Sequence, residues 1–390
     1  MSTQAIKSDH IILPGGIDGF GYVLIRDGKF QGVTIEEPDS KVEIIDRMGC
    51  WVAPGYVDTH VHGFLDHDVM DCDPDGINII AEGLLRHGTT SWLPTTLTAS
   101  VETTKRACEA VTEAEKRREP GYLGARTQGI FLEGPFFTEE HKGAQNPKYL
   151  CDPSIKAYDI WQKACHHIIK KSALAPERDH SQEYIHHVTA DGCVAAIGHT
   201  SATYAEAAAA VLAGAKVFVH TYNAMSGLHH RDPGAVGCAM TSQDTYSELI
   251  CDGQHVNPVA ADALIRAKGW EHVFLITDCL RCGGMPDGNY FLGELPIVLS
   301  GGAAHLKEGG NLAGSVLTMA GAVKNVVDWG LVTAEQAIRM ATEVAARANN
   351  IEDACGSILP GRDADLVVLN PDLTLAETYL GGIQVLPDKA

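Results

Sequence analysis

The chain has 390 residues, 45% of them hydrophobic, which is enough for a large buried core. No run of eighteen or more apolar residues occurs, so the sequence offers no membrane-spanning helix. The formal net charge is −20 and Lys/Arg residues do not cluster, which argues against a nucleic-acid or membrane-surface binder and obliges any anionic substrate to find a local positive site.

The opening stretch Met1–His10 is polar and lacks the apolar run of a secretory signal, so the chain reads as cytoplasmic. Short strands with Gly and Asp turns are expected at Asp18–Ile25 and Gly32–Ile35. After residue 50 the pattern changes to β-branched strands, Gly/Pro/Asn turns and helical stretches in alternation. Strands are expected at Trp51–His60, Thr89–Pro94, Gly129–Glu133, Ser172–Ala175, Val194–His199, Val217–His220, Glu248–Asp252 and Val273–Asp278. Helices are expected between most of them, among them Ile77–His87, Val101–Arg118, Ala202–Ala213, Pro258–Lys268 and Ala320–Trp329. Eight such units predict an α/β fold, a closed (β/α)8 TIM-like barrel over residues 54–354. A further strand at Asp365–Leu369 predicts a small β-sandwich built from both termini, residues 1–53 and 355–390, in preference to decorations on a single domain. The eleven cysteines are scattered, and without an export signal they read as free thiols. Cys279 and Cys282 form a Cys-x-x-Cys with no second pair, and read as small, buried, reduced residues.

The chemistry gathers at strand ends. Asp58-Thr59-His60-Val61-His62 closes the first strand, and side chains two apart on a strand face the same way. Glu133 ends the third expected strand, His199 the fifth, His220 the sixth and Asp278 the eighth. Barrel enzymes assemble their sites on that rim. Four imidazoles and two carboxylates there suit zinc, iron or manganese. Any single strand-end His reads equally well as a satisfied core residue, but six ligand-type groups in register do not.

The order of motifs resembles the amidohydrolase superfamily, and most closely its N-acetylglucosamine-6-phosphate deacetylases. Pro54-Gly55-Tyr56-Val57-Asp58-Thr59-His60-Val61-His62-Gly63 is similar to the superfamily's first-strand signature. Leu132-Glu133-Gly134-Pro135-Phe136, Lys142-Gly143-Ala144, Gly198-His199-Thr200, His220-Thr221-Tyr222-Asn223-Ala224-Met225, His230-Arg231-Asp232-Pro233-Gly234, Asp252-Gly253-Gln254-His255-Val256, Ile276-Thr277-Asp278 and Leu312-Ala313-Gly314-Ser315 are similar to the deacetylase branch. Gly227–Arg231 and Gly284–Gly288 also resemble N-acetylgalactosamine-6-phosphate deacetylases.

The resemblance implies roles residue by residue. Glu133, His199 and His220 match metal ligands, and His60 and His62 match a second metal position, so one or two ions are implied, with Glu133 as bridge. A carbamylated Lys serves as bridge in related barrels; Lys170 and Lys171 lie just before the expected fourth strand, which leaves Glu133 the better candidate. The metal implied is zinc, with iron or manganese as alternatives. Asp278 matches the catalytic acid that takes a proton from water and returns it to the leaving amine, and His255 matches a catalytic, substrate-contacting imidazole. Ala144, Asn223, Ala224, Asp252, Leu312, Ala313 and Gly314 match substrate contacts. Arg231 matches the phosphate clamp, its other reading being a surface ion pair with Asp232, and in relatives it reaches across a dimer, so a homodimer is implied. One departure stands out: where most relatives carry a substrate-contacting His after Lys-Gly-Ala, this chain has Gln145, which cannot become a cation and leaves the sugar epimer open. A cyclic-amide hydrolase and a non-catalytic sugar or metal binder are the competing readings; the first needs no phosphate clamp, the second predicts loss of Asp278 or the ligands.

Overall fold

The stretch read as one strand over Trp51–His60 is two strands in two sheets, Trp51–Pro54 and Tyr56–Val61. Gly55 stands at the join. A Cβ there would lie 2.1 Å from Thr90 Oγ1, so only glycine lets the backbone pass this close to the neighbouring strand. This is a computed structural model, describing residues 3–387. Residues 1–2 of the polar opening stretch, and 388–390 of the segment assigned to the small domain, lie outside the described residues.

From Tyr56 onward the strands run parallel. Tyr56–Val61 pairs with Thr89–Pro94, which pairs with the short Arg126–Thr127. Ile130–Leu132, Ile169–Leu174, Val194–Ile197, Val217–Phe218, Tyr246–Ile250 and Val273–Ile276 follow one another in a second parallel run. Two parallel bridges, Thr95↔Phe131 and Val61↔Cys279, link residues of the first run to the second run and to the segment that follows it. The chain is thus a mixed α/β protein with a curled parallel sheet. Alternation divides the strand residues: Ile130, Leu132, Ala195 and Ile197 pack against the helices, while Phe131, Val194 and Ala196 join the opposite cluster.

The expected helices correspond to Pro74–Arg86, Val101–Arg117, Tyr204–Ala213, Pro258–Lys268 and Met319–Asp328. Each begins behind a side-chain cap, Asp73, Ser100, Thr203, Asn257 and Thr318 respectively, which satisfies an N–H that the first turn leaves free. Strand bounds differ more. The expected strands overrun at their C-terminal ends, because Gly134, His199, His220 and Asp278 adopt φ of 91°, 46°, 30° and 50°, which turns the chain out of the ladder. The fourth strand begins at Ile169, not Ser172, so Lys170 and Lys171 lie inside it. The sequence hides this because a lysine argues against a buried strand; here Lys171 is fully buried but carries an acidic partner, Glu248.

Both chain ends enter one eight-stranded sheet. Gly16–Arg26, Lys29–Thr34 and Leu366–Leu369 answer to expected strands; Thr3–Leu13, Glu43–Asp46, Leu375–Leu380 and Ile383–Val385 were not foreseen. Trp51–Pro54 ties the ends together, antiparallel to Leu366–Leu369 and parallel to Thr3–Leu13. Ile6, Val23, Phe30, Val52, Leu366, Val368 and Tyr379 form its core. A third, antiparallel sheet, Gly288–Leu292, Leu295–Ser300 and Ala303–Leu306, also escapes the sequence reading. It packs Leu292, Ile297 and Leu299 with Leu97, Leu280 and Ala313. Among the described residues no helix is long and apolar enough to cross a membrane.

Candidate active site

The strand-end residues converge. Glu133 stands at the centre, its Oε1 3.3 Å from His199 Nε2, 3.1 Å from His220 Nε2 and 3.4 Å from His60 Nε2. Its Oε2 lies 3.3 Å from His62 Nε2. Two triads result, His60–His62–Glu133 and Glu133–His199–His220, each with ligand atoms within 4.8 Å of one another, and Glu133 belongs to both. Asp278 Oδ1 approaches His62 Nε2 at 3.2 Å and His60 Nε2 at 3.4 Å. The pattern read from the sequence therefore holds in space for all six residues. Three of them, His199, His220 and Asp278, sit in left-handed backbone, a costly conformation that surrounding structure must enforce.

Each of three imidazoles is turned by a contact on its far nitrogen. Nδ1–H of His60 donates to Glu248 Oε2 at 3.0 Å, that of His62 to Thr95 O at 3.2 Å, and that of His199 to His141 O at 3.0 Å. Acceptor-only partners fix a proton on Nδ1, so that it is Nε2 which turns to the centre and, once neutral, offers its lone pair there, the arrangement metal-binding histidines use. His60 Nε2 is buried without a hydrogen-bond partner. That orphaned atom, and a donor set of imidazole nitrogens and carboxylate oxygens, fit a divalent ion.

Charge in the cluster follows from burial and neighbours. Burial works against ionising Glu133, but His60, His199 and His220 outweigh it and hold the carboxyl well below its usual range. Asp278 is likewise held down against burial by His60 and His62. His60 is raised to about 9: burial opposes its charge, and Asp278, Glu133 and Glu248 override that. The Glu248 carboxyl is pulled down to about 2 against burial by Lys171 and His60.

Above the cluster opens a cleft of about 600 Å³, counting its solvent-open space. Glu133, His62, His199, His220 and Asp278 form its floor, and Ala144, Gln145, Asn223, Ala224, His255, Leu312 and Gly314 its walls. Ala313 and Asp252 do not line it. Ala313 is buried between its two lining neighbours. Asp252 Oδ2 accepts from His255 Nδ1 at 2.7 Å, and this pairing raises the His255 imidazole above its usual value although burial opposes it. Arg231 stays outside: it is exposed, and its Nη1 lies 2.8 Å from His230 Nε2. Among the described residues the cleft lining includes no Lys or Arg.

Residues 51–385 match the family described as Amidohydrolase family. The chain belongs to that family. It is 38% identical to N-acetylgalactosamine-6-phosphate deacetylase of Escherichia coli O157:H7, over 97% of this chain and 98% of that protein. It is 36% identical to N-acetylglucosamine-6-phosphate deacetylase of Bacillus subtilis strain 168, over 97% and 96%. A solved structure of the Mycobacterium smegmatis N-acetyl-D-glucosamine-6-phosphate deacetylase D267A mutant, in complex with N-acetyl-D-glucosamine-6-phosphate, is similar at a TM-score of 0.92 and 30% identity, covering 99% of this chain and 100% of that one.

Three features of this amidohydrolase's site were not read from the sequence. Gln145 is not a free wall residue: its Nε2 donates to Glu133 Oε2 at 2.7 Å while its Oε1 accepts from Thr98 N–H at 2.9 Å. Leu97, Leu280 and Leu292 add apolar wall, brought by a loop and by the antiparallel sheet that short strands concealed. Lys171 and Glu248 form a fully buried pair at 2.5 Å. Two opposite charges at mid-strand positions, otherwise unaccountable in buried strands, were the signal for that pair.

Proposed function

We propose that this amidohydrolase hydrolyses the acetamide of N-acetyl-D-glucosamine 6-phosphate to D-glucosamine 6-phosphate and acetate. The observation that carries the reading is the paired triad around Glu133 with Asp278 against it, at the floor of a cleft. Similarity along nearly the whole chain to proteins named for this chemistry supports the same substrate class. The two triads would hold one or two divalent ions, zinc before iron or manganese. When bound, such an ion lowers the pKa of a water and polarises a carbonyl. Asp278 takes that water's proton as the new C–O bond forms, then delivers it to the nitrogen as the C–N bond breaks, so that the sugar leaves as a neutral amine. His255, held by Asp252, donates toward the acetyl oxygen. Leu97, Leu280 and Leu292 give the cleft an apolar wall beside this exchange.

Asn223 and Ala224 face the phosphate end, with Arg231 as its cation. Because Arg231 is exposed and turned away from the cleft, it would serve a neighbouring subunit's cleft in a homodimer. We take the curled sheet as a closed (β/α)8 barrel over residues 54–354, the terminal sheet as a separate sandwich domain of residues 1–53 and 355–390, and the enzyme as cytoplasmic. The galacto epimer is the second reading, favoured by Gln145 in place of histidine and by the 38% identity to the Escherichia coli enzyme. Free-amine release from the 6-phosphates of N-acetylglucosamine and N-acetylgalactosamine, beside the unphosphorylated sugars, tests this. Faster release from the gluco phosphate is expected; equal rates with and without phosphate would end the phosphate assignment.

A further inference from the structure

Beneath the ion cradle lies a charge pair that direct ligation does not use. Glu248, in the middle of the strand Tyr246–Ile250, is fully buried. Its Oε2 accepts from His60 Nδ1–H at 3.0 Å and from the His220 backbone N–H at 3.0 Å. Its Oε1 meets Lys171 Nζ at 2.5 Å. Lys171 is buried too, its Nζ 2.9 Å from Thr59 O and 4.0 Å from the centre of the Phe131 ring. One carboxylate thus touches one ligand of each triad, and one ammonium, from the strand Ile169–Leu174, neutralises it.

We propose that Glu248 is the positioning residue of the ion cradle, fixing the His60 tautomer and the His220 backbone, and that Lys171 serves as its counter-ion and not as a bridging ligand. The chemistry asks for such a group. A metal-binding imidazole is commonly oriented by an acceptor on its far nitrogen, as His60 is by Glu248, and Glu248 also holds the backbone N–H at the left-handed turn of His220 (φ 30°). Lys171 has its ammonium protons committed to Glu248, Thr59 and the face of Phe131, which leaves no free amine to be carbamylated. Glu248 without a cation would be an uncompensated buried charge. The inference rests on the ion-holding part of the function proposed above and not on the identity of the sugar.

Zinc titration of the metal-free full chain, by competition with a chromophoric chelator, tests it without substrate. The double variant Lys171→Met/Glu248→Gln keeps an acceptor oxygen for His60 and His220 and removes both charges. Lys171→Met/Glu248→Leu removes the acceptor as well. Zinc affinity is expected to stay within a few-fold of wild type in the first and to fall roughly 10- to 100-fold in the second. Wild-type affinity in a folded Met/Leu variant, or equal losses in both, would overturn the proposal. Should the Met/Leu variant fail to fold, nitrogen-15 NMR of the zinc-loaded wild-type chain decides, with His60→Asn identifying the resonance. A persistent His60 Nδ1–H signal supports the proposal, and a His60 protonated on Nε2 overturns it. A failed sugar assignment would leave every one of these zinc affinities unchanged.

Discussion

The floor and the rim of the cleft are built by different means. On the floor, Glu133, His60, His62, His199, His220 and Asp278 are all buried and come from five strand ends, and the rings of His60, His62 and His199 are held by named partners behind them. At the rim, Asn223 and Ala224 sit on a loop, and the nearest assigned cation, Arg231, is exposed and points at its own neighbour His230. The floor's geometry is thus fixed when the parallel sheet curls, whereas the grip on the substrate's charged end is left to loops and, on the reading above, to a second subunit. Reaction chemistry demands sub-ångström order; anion recognition at a solvent-open mouth does not.

Breaking the floor should cost most. Asp278→Asn should lower kcat by roughly 10²- to 10⁴-fold, the usual worth of a positioned proton carrier, while elemental analysis finds the ion content unchanged. Near-normal turnover would remove Asp278 from the proton path. The floor should also couple ion uptake to protons. His60 is held protonated to about pH 9 in the ion-free cradle, and an ion at Nε2 requires it neutral. Binding therefore expels a proton, and zinc affinity should rise with pH up to that value, by roughly tenfold per unit for each proton displaced. Calorimetry in buffers of different ionisation enthalpy measures the release; affinity independent of pH between 6 and 8 would contradict this electrostatic account.

Breaking the rim should cost less and affect binding more than turnover. Arg231→Ala should raise KM for the 6-phosphate by roughly tenfold, about the worth of one charge-assisted hydrogen bond, with kcat nearly kept. A kcat loss as large as that of Asp278→Asn would erase the distinction between floor and rim. The smallest effect is expected where the two regions meet. Gln145 holds Glu133 with one end and faces the cleft, so Gln145→His should shift the ratio of gluco to galacto kcat/KM by only a few-fold.

The floor was legible in the sequence because its signal is positional. His-x-His, Glu133, His199, His220 and Asp278 each follow a β-branched run, and parallel strands bring their C-terminal ends together whatever the intervening loops do. The supports beneath were not legible. Lys171 seemed to precede its strand because a lone lysine argues against burial, and only the pairing with Glu248 across the sheet reverses that inference. Thr3–Leu13 was missed because its mixture of polar and apolar residues has meaning only once Trp51–Pro54 lies beside it. The sheet at Gly288–Leu306 was missed because its short strands carry too few residues to display a period.

The most direct test is acetate release from N-acetyl-D-glucosamine 6-phosphate by the same preparation before and after its ions are stripped by chelation, and again after zinc is restored. Release should vanish in the stripped enzyme and return with zinc, in proportion to occupancy of the Glu133 cradle. Undiminished release from a folded enzyme shown by elemental analysis to be free of metal would contradict the account at its centre.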